Sequence, residues 1–153
     1  MNDSQLAQFL VQAKRATYAA QGDSASVTPL LPGSRQLEYQ LGDVLYRDIY
    51  FGMAYFVGQE TVHENGQPIW AMSYAGGVTD ANADVGATYG FLQFALRQVE
   101  AASPFRGPGL IRGDGYQYTS QTTGTLANFW GIERISVNRG VIYELRYHGG
   151  KIR

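Results

Sequence analysis

Two stretches of the sequence decide the fold: they are Phe56-Val57-Gly58-Gln59-Glu60 and, 73 residues later, Phe129-Trp130-Gly131-Ile132-Glu133. At this offset, 8 of the 22 positions from 56 to 77 are identical, where composition predicts roughly one or two. The other identities pair Asn65 with Asn138, Ile69 with Ile142, Tyr74 with Tyr147, and Gly76-Gly77 with Gly149-Gly150. The repeat predicts two copies of one structural unit.

Runs rich in Tyr, Val, Ile and Phe surround both stretches and are typical of β-strands. They cover residues 36–41, 44–50, 55–63 and 68–74 in the first half, and 115–120, 128–137 and 141–148 in the second. Apolar residues at helical spacing precede each set, from Leu6 to Ala20 with Gly22 ending the helix, and over residues 85–101.

These elements predict an α+β domain with an internal duplication of an α-β-β-β unit. We expect two helices packed on a largely antiparallel sheet, with a pseudo-two-fold axis between the halves. The length of 153 residues suits a single domain over 1–153, with repeat halves at about 4–77 and 84–150.

The hairpin loops decide which side chains share a face of the sheet. A two-residue turn at Asn138-Arg139 would place Glu133 opposite Glu144, and like charges directly opposite are unfavourable. A three-residue loop over 138–140 instead pairs Arg134 with Glu144, and the corresponding loop over 65–67 places Glu60 opposite Met72. One face of each hairpin is then aromatic, with a glutamate at its centre.

This aromatic face supplies the candidate ligand-binding residues: Glu60, Glu133, Trp70, Tyr74, Tyr143, Tyr147 and, at a strand end, His148. A carboxylate among rings could anchor a cationic or hydrogen-bonding ligand. The alternative is that both glutamates are structural acids bonded to groups inside the protein. Tyr46, Asp48 and Tyr50, with Arg47, could also line a groove, although any half-buried strand would show this alternation.

Several kinds of site are excluded or unsupported by the sequence. The chain has no cysteine, so neither a thiolate metal site nor a cysteine nucleophile can form. We assign no catalytic residue, no metal ligand and no cofactor, because no serine-nucleophile, calcium-loop or phosphate-loop pattern is complete. The net charge of −1 argues against nucleic-acid binding by this chain alone.

A family resemblance rests on motifs that run through nearly the whole chain. They are Pro32-Gly33-Ser34, Glu38-Tyr39, Gly42-Asp43, Tyr46-Arg47-Asp48, Tyr50-Phe51-Gly52, Phe56-Val57-Gly58-Gln59-Glu60, Pro68-Ile69-Trp70-Ala71-Met72-Ser73-Tyr74, Tyr143-Glu144-Leu145 and Tyr147-His148-Gly149-Gly150. Together they resemble a bacterial family, domain of unknown function 5680, often found behind a helix-turn-helix in transcriptional regulators. The resemblance implies no activity, but it implies an effector-sensing module.

The sequence therefore favours a non-enzymatic domain that binds a small cationic or aromatic molecule. The alternatives are a small enzyme that uses glutamate or histidine as acid and base, and a protein-interaction module without a ligand. We expect a cytoplasmic location without membrane association, because no stretch approaches the length of a membrane span. Self-association into a homodimer stays open.

Overall fold

The computed structural model of the protein describes residues 1–21 and 27–153, which form helices and one continuous sheet. The helices are α1 (Asp3–Ala16), the single turn α2 (Tyr18–Gln21) and α3 (Val85–Leu96). The strands are β1 (Arg35–Leu41), β2 (Val44–Gly52), β3 (Tyr55–Glu64), β4 (Gln67–Val78), β5 (Leu110–Gly113), β6 (Tyr116–Thr125), β7 (Asn128–Val137) and β8 (Gly140–Lys151). The predicted helix end at Gly22 lies outside the described residues.

The eight strands form an antiparallel sheet in the order β1-β2-β3-β4-β8-β7-β6-β5. The predicted α+β class with a largely antiparallel sheet is confirmed. The predicted α-β-β-β unit is wrong in its strand count, because four strands, not three, lie on each side of the boundary between β4 and β8. The strand that the sequence did not predict, β5, is only four residues long and follows a glycine- and proline-rich segment. The internal duplication stays a prediction.

Side-chain caps begin both long helices. Asn2 accepts a hydrogen bond from the backbone of Gln5, whose side chain bonds back to Asn2, so α1 starts with a capping box. Asp84 caps α3 by accepting from Ala87. The buried face of α1 is apolar except for Lys14, which this helix carries towards the sheet.

The two hairpins confirm the predicted faces but not the predicted loops. Each turn has two residues, with Asn138 and Arg139 at φ of 48° and 68°, and a bulge beside each turn shifts the register by one residue. Because the bulge compensates for the shorter turn, Arg134 still faces Glu144, and Glu133 faces Leu145. The three-residue loops were wrong, since asparagine and arginine adopt the positive φ of a two-residue turn here.

Two glycines leave room for tyrosine rings on the inner face of the sheet. A Cβ atom on Gly131 would lie 2.3 Å from the ring of Tyr147, and one on Gly58 would lie 2.4 Å from the hydroxyl of Tyr74. Both tyrosines lie opposite their glycines in the strand register, as the sequence predicted. The pleat therefore has space for the rings only where a side chain is missing.

Replacing Gly131 by alanine should lower the free energy of unfolding by about 1–3 kcal/mol, because the new methyl group overlaps a ring that is fully packed. Chemical denaturation measures the change. The control is Gly90→Ala on the exposed side of α3, where nothing lies within 4 Å, and it should raise stability by up to about 1 kcal/mol. Equal effects of the two substitutions would contradict the close approach at Gly131.

Candidate functional site

Glu133 is the centre of a closed hydrogen-bond network. Arg106, in the segment between α3 and β5, donates from Nη2 to Oε1 at 2.6 Å and from Nε to Oε2 at 3.1 Å. The hydroxyls of Tyr118 and Tyr143 donate to the same carboxylate at 2.7 and 2.8 Å. Burial and the charge of Glu133 raise the pKa of both tyrosines, so both hydroxyls keep their protons. The carboxylate is fully buried and has four internal donors, which is the arrangement of a structural acid.

Glu60 has the corresponding position in the other half of the sheet, on the same face, but its environment is different. Lys14 of α1 forms a buried ion pair with its Oε2, and Nη1 of Arg106 lies 3.8 Å from its Oε1. Burial lowers the pKa of Lys14, although the charge of Glu60 opposes this effect. Arg106 thus reaches both glutamates, and Lys14 is the closer cation to Glu60.

Asp48 is a second buried carboxylate beside Glu60. The two residues lie directly opposite each other on β2 and β3, and Asp48 is only 7% exposed. Its one hydrogen bond within the described part of the chain comes from the hydroxyl of Tyr74 at 2.6 Å. Burial and then the charge of Glu60 raise the pKa of Asp48 to about 7, while Tyr74, Lys14 and Arg106 act in the opposite direction. Asp48 therefore changes its charge near neutral pH.

Asp48, Glu60 and Tyr74 line a cavity of about 140 Å³. Its lining also includes exposed residues, Gly52, Met53 and Val85, so the cavity reaches the protein surface. Lys14 and Arg106 contribute charged groups, and aromatic rings form much of the remaining wall. These rings belong to Tyr18, Tyr46, Tyr50, Phe56, Tyr89 and Phe105. The cavity thus combines flat apolar walls with buried charges, as small-molecule sites commonly do.

The second half places different residues at the corresponding positions of its sheet. Ser120 lies opposite Glu133 on β6 and β7, as Asp48 lies opposite Glu60 on β2 and β3. The hydroxyl of Tyr147 is hydrogen-bonded to Ser120 at 3.0 Å and to Thr122 at 2.7 Å. The tyrosine hydroxyl is therefore hydrogen-bonded to neutral hydroxyls in the second half and to the carboxylate of Asp48 in the first.

The structure brings only part of the predicted site together. Glu60 and Tyr74 line the cavity, whereas Glu133 and Tyr143 form the closed network. Trp70 is fully buried, stacks on Phe129 with ring centroids 5.7 Å apart, and its Nε1 has no hydrogen-bond partner among the described residues.

Tyr147 and His148 lie on opposite faces of the sheet. Tyr147 is buried and bonds to the hydroxyls of β6, whereas His148 is exposed and faces Trp130 and Ser73 on the neighbouring strands. Successive residues of a strand point to opposite faces, so this separation follows from their adjacency in sequence. His148 is therefore not assembled with either glutamate.

Sequence reasoning did not select two charged residues of this region, Lys14 and Arg106. It did name Tyr46, Asp48 and Tyr50, with Arg47, as a weak groove candidate; the first three line the cavity and Arg47 does not. The proximity of Asp48 to Glu60 follows from the pairing of β2 with β3. A sequence signal did exist for Lys14, because it interrupts the apolar face of a helix. Arg106 follows Phe105 in a segment without regular periodicity, and nothing local indicated that it would be buried.

Residues 1–21 and 27–153 contain neither a cluster of metal ligands nor a membrane-spanning helix. No group of three or more histidine, aspartate or glutamate side chains there is placed to hold a metal ion. No helix in the same residues has both the length and the apolar character needed to cross a membrane.

Comparison with known protein families places most of the chain in a family of unknown function. The family model described as Domain of unknown function (DUF5680) matches residues 48–152, which is more than half of the chain. The matched range contains Asp48, Glu60, Arg106 and Glu133, whereas Lys14 lies before it. No curated protein and no solved structure matches the chain.

Glu133→Gln should lower the free energy of unfolding by about 3 kcal/mol or more, because it leaves the buried guanidinium of Arg106 without its charged partner. The matched control is Glu144→Gln in the more exposed pair with Arg134, which should change stability by at most about 1 kcal/mol. Denaturant unfolding of both variants measures the difference. A Glu133→Gln protein as stable as the control would show that the closed network does not support the fold.

Proposed function

The chain belongs to the DUF5680 family, and we propose that it is a non-enzymatic domain that binds a small organic molecule in the cavity beside Asp48 and Glu60. The observation that carries this proposal is the state of Asp48. It is a buried carboxylate that lines an open cavity and has no cationic partner of its own among the described residues. Buried charges without a partner are costly, and they concentrate at functional sites.

The size and walls of the cavity support a small, flat ligand. A cavity of about 140 Å³ is close to the volume that holds one benzene ring in an engineered protein core. The rings of Phe56 and Tyr89 pack with centroids 5.9 Å apart and offer flat apolar surfaces. The carboxylates provide the polar contact that would orient such a molecule.

The fold itself gives no reason for a carboxylate at position 48. In the second half, Ser120 occupies the matching place opposite Glu133. Tyr147 on β8 is hydrogen-bonded there to the neutral hydroxyls of Ser120 and Thr122. A serine at position 48 would remove a buried charge from beside Glu60. An aspartate at a buried position where the other half has a serine supports a role in binding.

Binding is better supported than catalysis. The enzymatic alternative needs an acid and a base together, and His148 lies on the opposite face of the sheet from Glu60. Lys14 holds Glu60 in an ion pair, and Arg106 and two tyrosines hold Glu133. Both glutamates therefore already have fixed partners inside the protein.

Two further proposals accompany the binding function. We infer that the module senses an effector in the bacterial cytoplasm, which is what the family resemblance implies. We also infer an internal duplication: the two bulges fall at equivalent places in the two sequence copies, and Tyr74 pairs with Tyr147 where β4 meets β8. In this interpretation one copy kept an open cavity and the other became closed.

A thermal-shift screen against small aromatic amines, alcohols and acids tests the binding function. A ligand that binds only the folded protein raises the melting temperature, and at one hundred times its Kd it adds about 2.7 kcal/mol of stability. We expect at least one compound to stabilise the wild-type protein.

The matched variant for this screen is Ala19→Leu. Ala19 is buried and lines the cavity, so a leucine there should fill the space and abolish the shift while the variant still melts cooperatively. A library without a single stabilising compound, or stabilisation that persists in Ala19→Leu, would contradict binding in this cavity.

A further inference from the structure

We propose that the ligand is a small amine bound as its ammonium form, and that it takes the place of a proton on Asp48, beside Glu60. This inference rests on the proposed binding function and assigns its ligand class and its dependence on protons.

Among residues 1–21 and 27–153, the buried cluster has one carboxylate more than it has cations. Its carboxylates are Asp48, Glu60 and Glu133, which are 7%, 2% and 0% exposed, and its cations are Lys14 and Arg106, both 8% exposed. Arg106 forms the two-bond pair with Glu133, and Lys14 pairs with Glu60. The carboxylate that remains is Asp48.

Three neighbouring elements and the segment after α3 each contribute a side chain that acts on the charge of Asp48, whereas β1 places the apolar Leu37 beside it. Glu60 faces it from β3, Tyr74 from β4, Lys14 from α1, and Arg106 from the segment after α3. On its own strand, Tyr46 keeps its proton because burial and the nearby carboxylates raise its pKa. Arg35 also lines the cavity, but it is only half-buried and has an interaction of its own.

A proton is the smallest cation that can balance this excess charge. Two carboxylates that share a buried site cannot both stay ionised easily, and burial together with Glu60 raises the pKa of Asp48 to about 7. An ammonium group beside the same carboxylate would supply the same charge with more contacts. In that exchange the ammonium enters, the Asp48 carboxyl gives up its proton to solvent, and the site keeps its net charge.

The walls of the cavity suit an organic cation. The two resident cations already lie over rings, with Lys14 5.9 Å from the centroid of Tyr46 and Arg106 5.7 Å from that of Tyr74. The rings of Phe56 and Tyr89 offer further faces within the same cavity. An anionic ligand would instead meet the excess carboxylate at close range.

Titration calorimetry with two probes of nearly equal shape tests the inference. Benzylamine carries the ammonium group, and benzyl alcohol replaces it with a neutral hydroxyl. Between pH 6 and pH 8 benzylamine stays protonated, like a lysine side chain, while the ionised fraction of Asp48 rises roughly tenfold. We therefore expect the Kd of benzylamine to fall about tenfold over this range, with little change for benzyl alcohol.

The variant Asp48→Asn keeps the size of the side chain and removes its charge. It should weaken benzylamine binding at pH 8 by about tenfold or more and abolish the pH dependence. The matched control is Asp114→Asn in an exposed turn at positive φ, where asparagine is well tolerated, and it should leave both titrations unchanged.

The outcomes separate this inference from the proposed function. If benzyl alcohol binds as tightly as benzylamine at pH 8, or if the Kd of benzylamine does not change with pH, the amine inference is overturned while binding in the cavity stands. If neither probe binds, the amine inference is also overturned, and the broader screen alone decides the proposed function. Should Asp48→Asn fail to fold, the Kd values of the two probes for the wild-type protein at pH 6 and pH 8 still show whether the site prefers an ammonium group.

Discussion

Arg106 and Glu133 are held almost entirely out of water, and each would cost several kcal/mol to bury without the other. Two hydrogen bonds join them, and two tyrosine hydroxyls complete the coordination of the carboxylate. This pair fixes the segment after α3 against the centre of the sheet. It also sets the guanidinium at the base of the cavity, 3.8 Å from Glu60. Arg106 therefore connects the closed network around Glu133 with the cavity beside Glu60.

Each half of the sheet buries a glutamate, but the two glutamates have different partners. On the β7 side, a glutamate, an arginine and neutral hydroxyls satisfy one another, and the network is closed. On the β3 side, Lys14 from α1 satisfies Glu60, and Asp48 adds a carboxylate that only Tyr74 contacts by a hydrogen bond among the described residues. The difference between a structural acid and a candidate binding site therefore lies in one neighbouring position, serine in one half and aspartate in the other.

The strands, the two glutamates and their aromatic faces could be predicted because they depend on alternation and on pairing between neighbours in sequence. The hairpin loops could not, because a two-residue turn with a bulge places Glu60 opposite Met72 just as a three-residue loop does. The short strand β5 lacked a pattern of sufficient length. The separation of His148 from Tyr147 was readable from their adjacency on one strand.

The charged partners could not be predicted for a different reason. Lys14 is 46 residues from Glu60 and Arg106 is 27 residues from Glu133, so only the tertiary fold brings each pair together. A single sequence shows the acid but not the base that will face it. The distinction between the closed network and the open cavity was therefore invisible before the packing of α1 and of the segment after α3 was known.

The central claim is that the fold does not need the charge of Asp48, and comparing the unfolding free energies of wild-type and Asp48→Asn proteins at pH 5 and pH 8 tests it most directly. The folded protein holds the Asp48 proton to about pH 7, whereas the unfolded chain releases it near pH 3.8. The folded state thus binds more protons between these values, and the stability from this group is lost as the pH rises through 7. The account predicts that the asparagine variant gains stability relative to the wild type between pH 5 and pH 8. A variant less stable than the wild type at pH 8 would show instead that the ionised carboxylate supports the fold.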